Sequence, residues 1–162
     1  MGVLESFSLK GRIAVVTGGA GPQFGSSISE ALAEAGATVI VASRDFENNR
    51  RFVTELNDRG FDAHPEELDI SSPNSIDTMK HRVIKCFGCV DILINSAVVG
   101  RSGSFDEQTP DTWAASAQGN MVGLFALCKA FVPGMTEQGS GSSINISSIV
   151  LNFGLIINFK FC

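Results

Sequence analysis

Three short runs are apolar at nearly every position: Ile13-Ala14-Val15-Val16-Thr17, Thr38-Val39-Ile40-Val41-Ala42 and Asp91-Ile92-Leu93-Ile94-Asn95. A strand with no polar face has no solvent side, so it belongs in a sheet covered on both faces. Each run is followed by a stretch with helical periodicity, and strands alternating with helices form parallel βαβ units with right-handed crossovers. The expected architecture is therefore a three-layer α/β fold, a doubly wound parallel sheet with helices on both sides.

The intervening stretches supply the helices. Ser26 to Ala35 places Ile28, Ala31, Leu32 and Ala35 on one face, and Gly36 is a natural stop. Phe46 to Arg59 forms a second helix burying Phe52, Val53 and Leu56. A third strand is expected from Ala63 to Asp69, weakened by Pro65. Ser72-Pro73 then offers an N-cap and an N1 proline, and Ile76, Met79, Val83 and Phe87 form the stripe of a third helix. Thr109-Pro110-Asp111 opens the longest helix, with the stripe Trp113, Ala117, Met121, Leu124, Cys128, Phe131 and a kink at Pro133. A fifth strand runs from Ser143 to Ser147, so the sheet is expected to be truncated after about five strands.

Composition narrows the function. The 162 residues fit one domain, and 44% hydrophobic content with a net charge of −5 excludes disorder. The acidic balance argues against nucleic acid, which needs a basic face. No apolar run approaches the roughly 20 residues of a membrane span. The N-terminus lacks the basic start and apolar stretch of a secretory signal, so a cytoplasmic protein is expected. Cys86-Phe87-Gly88-Cys89 falls at a helix C-terminus, where the dipole opposes a thiolate, and no second C-x-x-C completes a zinc site. Packing cysteines and no metal are the expectation.

Ligands of doubly wound sheets bind at the carboxyl ends of the strands, where the strand order reverses. The informative residues cluster there: Gly18 to Gly25, Ser43-Arg44, Asp69, Asn95 to Val98 and Ser147-Ser148. Thr17-Gly18-Gly19-Ala20-Gly21-Pro22-Gln23-Phe24-Gly25 lies between a strand and a helix, the context that a dinucleotide loop requires. Glycines admit a pyrophosphate close to the backbone, and a helix N-terminus offers open N–H groups. A tight βα turn would use glycine too, but strand, loop and helix in register favour the nucleotide loop of a Rossmann-type fold.

Several of these residues, in this order and spacing, resemble the short-chain dehydrogenase/reductase family over about residues 7 to 149. They are the Thr17-Gly18-Gly19-Ala20 loop, Asp69, Asn95-Ser96-Ala97, Asn120 in the long helix, and Ile144-Asn145-Ile146-Ser147-Ser148. Leu9-Lys10-Gly11-Arg12 and Ala31 to Ala37 are similar to the gluconate 5-dehydrogenase branch, and 3-oxoacyl-acyl-carrier-protein reductases look much alike over this half. The resemblance implies an NAD(P)-dependent oxidoreductase interconverting a carbonyl and an alcohol on a small substrate of sugar acid, polyol or oxoacyl type. It implies that Gly18, Gly21 and Gly25 shape the pyrophosphate loop, that Asp69 contacts the adenine, and that Asn95 and Ala97 line its ribose. Ser148 would donate to the reacting carbonyl, and Asn120 would hold a water in a proton relay. Residues 110–135, the long helix, would carry any homo-oligomer contact. At the end of the second strand stands Ser43-Arg44, and an Arg there suits the 2′-phosphate of NADP, with NAD the alternative because Asp45 adjoins it.

Three features depart from the family pattern. The glycine loop is one residue longer and contains Pro22, which has no N–H, and Val98 stands where the family has glycine. The sequence contains no Tyr, hence no Tyr-x-x-x-Lys pair. We therefore expect residues 1–149 to form a dinucleotide-binding domain and residues 150–162 an apolar tail unlike the family. The chain is expected to be truncated and inactive by itself. The alternative reading is a non-catalytic dinucleotide-binding or interaction module.

Overall fold

The computed structural model describes residues 2–3, 5–100 and 107–147. Its five strands are β1 (Ile13–Thr17), β2 (Thr38–Ser43), β3 (Ala63–Glu67), β4 (Ile92–Asn95) and β5 (Ser142–Asn145). They form one parallel sheet in the order β3-β2-β1-β4-β5. The helices are α1 (Gly25–Glu34), α2 (Phe46–Asp58), α3 (Pro73–Phe87), α4 (Pro110–Ala117) and α5 (Leu124–Glu137), with a π-helical turn, Gln118–Gly123, joining the last two. This is the expected Rossmann-type doubly wound sheet. The chain runs outward from β1 to β3, then returns to the other side of β1, so the strand order reverses between β1 and β4.

The two faces of the sheet carry separate cores, as strands buried on both sides require. Ala14, Val16, Val39, Val41 and Ile94 point to one face and pack with Ala33, Val53 and Leu56 of α1 and α2. Val15, Ile40 and Leu93 point to the other and meet Ile76, Met79 and Val83 of α3 with Leu127, Phe131 and Met135 of α5. Pro65 is accommodated because β3 is an edge strand, paired among the described residues with β2 alone. The third helix follows its sequence signals closely: Ser72 Oγ accepts from Ser75 N, Pro73 fills the first turn, and Gly88 ends the helix at φ 81°.

Two helical faces differ from expectation. In α1 the buried line is Gly25, Ser29 and Ala33, while Ala31 is exposed and Ile28 and Leu32 lie at the flanks. The helix sits close to the sheet, so its innermost positions hold the smallest side chains. In the long helix the buried line is Gly119, Gly123, Leu127, Phe131 and Met135, whereas Trp113, Ala117 and Met121 are exposed. The π turn is wider than an α-turn and displaces the face beyond it. Glycine is required at the crossing, because a Cβ on Gly123 would collide with the carbonyl oxygen of Ile70 and one on Gly119 with Val99.

Asp91 ties the central strands together at their amino ends. Its carboxylate accepts from Ile13 N at 2.9 Å and from Arg12 Nη1 at 2.7 Å, and the group is 7% exposed. Replacing it by Ala strands the Ile13 N–H, so Asp91→Ala is expected to lower stability by about 1–3 kcal/mol. A urea unfolding midpoint equal to that of the unmodified chain would contradict this role.

Candidate functional site

The site lies at the carboxyl ends of the strands, beside the reversal of strand order. β1 ends in Thr17, whose buried hydroxyl oxygen accepts from the backbone N–H groups of Ser96 and Ala97, both at 3.1 Å. Its proton is directed to Ile94 O at 3.4 Å. One side chain therefore holds the glycine loop against the loop after β4. Gly18 completes the contact: at φ +68° it follows a path that disfavours side chains, and a Cβ there would stand 3.0 Å from Ala97 Cα.

The glycine loop is closed on itself. Gly18 N donates to Ala42 O at 2.7 Å, Gly21 N to Gly18 O at 2.9 Å, and Ser26 N to Gly21 O at 3.0 Å. Gly25 packs directly on Gly18 O, leaving no room for a side chain. Ser29 Oγ and Asn48 Nδ2 donate to the carbonyls of Gly19 and Ala20, at 2.9 and 3.1 Å.

The starts of the helices differ in one respect. Asp45 caps α2 by accepting from Asn48 N, Ser72 caps α3, and Thr109 with Thr112 forms a capping box on α4. At α1 the cap position is Phe24, and no side chain among the described residues caps that helix. Apart from Ser26 N, which donates to Gly21 O, its first turn presents backbone donors and the positive end of the helix dipole to the loop.

Two cavities open here. The first, about 410 Å³, is bounded by the glycine loop, the Ser43-Arg44-Asp45 turn with Asn48, and the loop from Ser96 to Val99. It contains the expected Gly18, Gly21, Gly25, Ser43, Arg44 and Ala97. Arg44 is the single cation among its described lining residues. The carboxylate of Asp45, the single anion, is directed to the first turn of α2. Ser43 Oγ donates to Asn49 Oδ1 at 2.7 Å, which anchors the turn to α2.

The second cavity, about 400 Å³, is lined by Thr17, Asn95, Asn120, Leu124 and Asn145 to Ser147, among others. Asn95 is placed here rather than in the first cavity. Its Nδ2 donates to Asn145 Oδ1 at 2.8 Å, and its buried Oδ1 has no partner among the described residues. Asn120 lies in the π turn, with its amide fully engaged: Oδ1 accepts from Val99 N at 2.7 Å, and Nδ2 donates to Val99 O at 2.7 Å and to Ser116 Oγ at 3.0 Å. Asp69 is absent from the described lining of either cavity, although Leu68 and Ile70 on either side of it line the first. Its carboxylate folds back to accept from Ser71 N at 2.8 Å. Ser148 lies outside the described residues.

Some contacts that build the site are not visible in the sequence pattern. Thr17 acts through its hydroxyl across a gap of some 80 residues, which local patterning cannot reveal. Asn48 was detectable in principle, since Asp45-x-x-Asn48 is a capping spacing. Ile70 and Phe24 line both cavities. Among the described residues no cluster of His, Cys, Asp or Glu fits a metal ion, and no helix is long and apolar enough to cross a membrane.

Comparison with known proteins gives consistent matches. A family model described as short chain dehydrogenase matches residues 12–159, and so runs into the stretch read from the sequence as a separate tail. The chain is similar to a 2,5-dichloro-2,5-cyclohexadiene-1,4-diol dehydrogenase of Sphingobium indicum, 30% identical over 95% of this chain and 61% of that protein. It is similar to a 3-oxoacyl-[acyl-carrier-protein] reductase of Vibrio cholerae, 32% identical over 91% and 59% of the two chains. A gluconate 5-dehydrogenase from Burkholderia cenocepacia, solved in complex with NADP and tartrate, superposes with a TM-score of 0.82 at 31% identity, covering 91% of this chain and 57% of that one. The chain thus spans about 60% of the length of the relatives it matches.

The Thr17 junction is testable. Thr17→Val keeps the shape but orphans two partly buried N–H groups, and is expected to cost about 2–3 kcal/mol, whereas Thr17→Ser retains most of the stability. Hydrogen exchange at the Ser96 and Ala97 amides should accelerate in the Val variant alone, and unchanged exchange would refute the assignment.

Proposed function

Because the chain belongs to the short-chain dehydrogenase family, we propose that its first cavity binds NADP for hydride exchange with a small carbonyl or alcohol substrate. The observation that carries this reading is the open start of α1. α2, α3 and α4 are capped by side chains, while α1 has no side-chain cap and only Ser26 N of its first turn is taken up by the loop, beside a glycine, Gly25, with no room for a side chain. A pyrophosphate supplies the acceptors and the negative charge that such a helix end favours.

Arg44 is the residue that selects NADP over NAD. Its guanidinium fits the 2′-phosphate on the adenine ribose, and the acidic neighbour that favours a free 2′-hydroxyl, Asp45, is held at the start of α2. The relative from Burkholderia solved with NADP supports the same choice. Gly18, Gly21 and Gly25 cradle the phosphates, Ala97 borders the adenine-side ribose, and Asp69 shapes the turn that carries Leu68 and Ile70.

When bound, the nicotinamide gives or takes the hydride. The chain's own residues position the partner in the second cavity. Ser148, next after the cavity residue Ser147, is assigned the hydroxyl that donates to the carbonyl oxygen. Asn120 is a positioning residue that clamps the loop at Val99, and Asn95 with Asn145 forms the polar floor. The substrate class that fits the relatives is a sugar acid, polyol or oxoacyl compound. Exposed Trp113, Met121, Val122 and Phe125 on the long helix support association with a second copy.

A second reading, dinucleotide binding without turnover, is favoured by one fact: the 162 residues contain no Tyr. These residues therefore lack the family's proton donor for the carbonyl. On this reading the 162-residue polypeptide titrates with NADPH but turns over no ketone.

Arg44→Ala is expected to weaken NADPH binding by about 10–100-fold, the loss of a charge-assisted contact, while NADH affinity stays within a factor of two or so. Fluorescence titration with both reduced dinucleotides measures the ratio. Tighter binding of NADH than NADPH by the unmodified protein overturns the NADP reading, and no saturable binding of either overturns the dinucleotide reading itself.

A further inference from the structure

The buried line of α2 is Asn49, Val53 and Leu56, and its first member does not match the other two. Val53 and Leu56 join the apolar core with Val39 and Val41, whereas Asn49 is an amide that is 0% exposed. A leucine would fill such a position without the cost of taking an amide out of water. The amide is fully bonded. Oδ1 accepts from Ser43 Oγ at 2.7 Å, and Nδ2 donates to Glu66 O at 2.8 Å and to Ser43 O at 3.4 Å. Both carbonyls can only accept, which fixes the orientation of the amide.

These bonds converge on the residue before Arg44. Ser43 ends β2, and Asn49 holds it by both its hydroxyl and its carbonyl, while Leu68 N donates to the same carbonyl at 3.0 Å. The bond to Glu66 O extends the clamp to β3, so the end of β2 is tied to α2 and β3 together. The neighbouring amide reaches the other way: Asn48 Nδ2 donates to Ala20 O, which fixes the same turn of α2 to the glycine loop. Arg44 is exposed, and its guanidinium enters no hydrogen bond or ion pair among the described residues. Its place at the first cavity is therefore set by its backbone, which Asn49 holds at Ser43.

We propose that Asn49 is a positioning residue for cofactor choice: it holds the Ser43-Arg44 turn so that the guanidinium meets the 2′-phosphate, without touching the ligand itself. The inference rests on the reading of the first cavity as an NADP site. Asn49 is fully buried and absent from the described lining of that cavity, so its effect on binding passes through the turn. Without the clamp, Arg44 starts from a wider range of positions, and the entropy of ordering it falls on the binding step.

The test is fluorescence titration of the intact 162-residue protein with NADPH and with NADH. Asn49→Leu, close in volume and a good helix former, is expected to raise the Kd for NADPH about 3–10-fold, the scale of one hydrogen bond. The Kd for NADH should stay unchanged. In an Arg44→Ala background the same substitution should change neither value, because a residue that acts through Arg44 has nothing left to position. A purely structural role would weaken both dinucleotides alike, with or without Arg44. Either of those results overturns the proposal, as does an unchanged Kd for NADPH. If Asn49→Leu does not fold, Asn49→Ala, which adds no bulk against the sheet, repeats the measurement. Failure of both variants to fold makes Asn49 a requirement of the fold and overturns its role in cofactor choice. All these outcomes leave the NADP reading standing. Parent protein that prefers NADH, or that binds neither dinucleotide, removes that reading and the role of Asn49 with it.

Discussion

The hydroxyl of Thr17 sits where β1 ends, and two N–H groups from the loop after β4 converge on its oxygen. Every feature of the site is measured from that point. It sets the glycine loop against Ala97, which in turn fixes the wall shared by the two cavities. The junction depends on β1 and β4 being neighbours, and that adjacency is the reversal of strand order in the sheet. Asp91 performs the corresponding task at the opposite end of the same strand pair, tying β4 to Ile13 and Arg12. The central pair is thus pinned at both ends, and the loops rise from a base that does not slide.

The distribution of caps gives the site its polarity. α2, α3 and α4 are closed by Asp45, Ser72 and Thr109. Only α1 among these four begins without such a side chain, and it begins at the cavity. Asp45 connects this pattern to cofactor choice. A carboxylate beside Arg44 would repel a phosphate if it pointed into the cavity, but as the cap of α2 it interacts with a helix N-terminus and leaves Arg44 as the cation of that wall.

Much of this was legible in the sequence, for reasons that differ between elements. The central strands announced themselves because burial on both faces demands unbroken apolar runs, and α3 because a large-side-chain stripe packs against β-branched strands. The faces of α1 and of the long helix were not legible. Both approach neighbouring backbone closely, so their inner positions are Gly25, Ser29, Gly119 and Gly123, which carry no hydropathy signal. The π turn further breaks the 3.6-residue period on which a stripe is counted. At the site, Gly18, Gly21 and Gly25 fall in the β1–α1 turn and Arg44 in the β2–α2 turn, so each was readable from sequence local to its own turn. Asn95 lines the second cavity, where its side chain meets the tertiary partner Asn145, and the Asp69 carboxylate turns back to Ser71 N two residues on.

The glycine loop has one further consequence. The carbonyls of Gly18, Gly19, Ala20 and Gly21 each accept a hydrogen bond from within the fold, and Gly25 lies directly on Gly18. A glycine-rich segment of this length would ordinarily lose much conformational entropy when it closed around an anion. Here folding has already imposed that order, with the Ser29 hydroxyl and the Asn48 amide serving as struts. An anion bound at this loop would therefore meet a segment that the fold has already ordered.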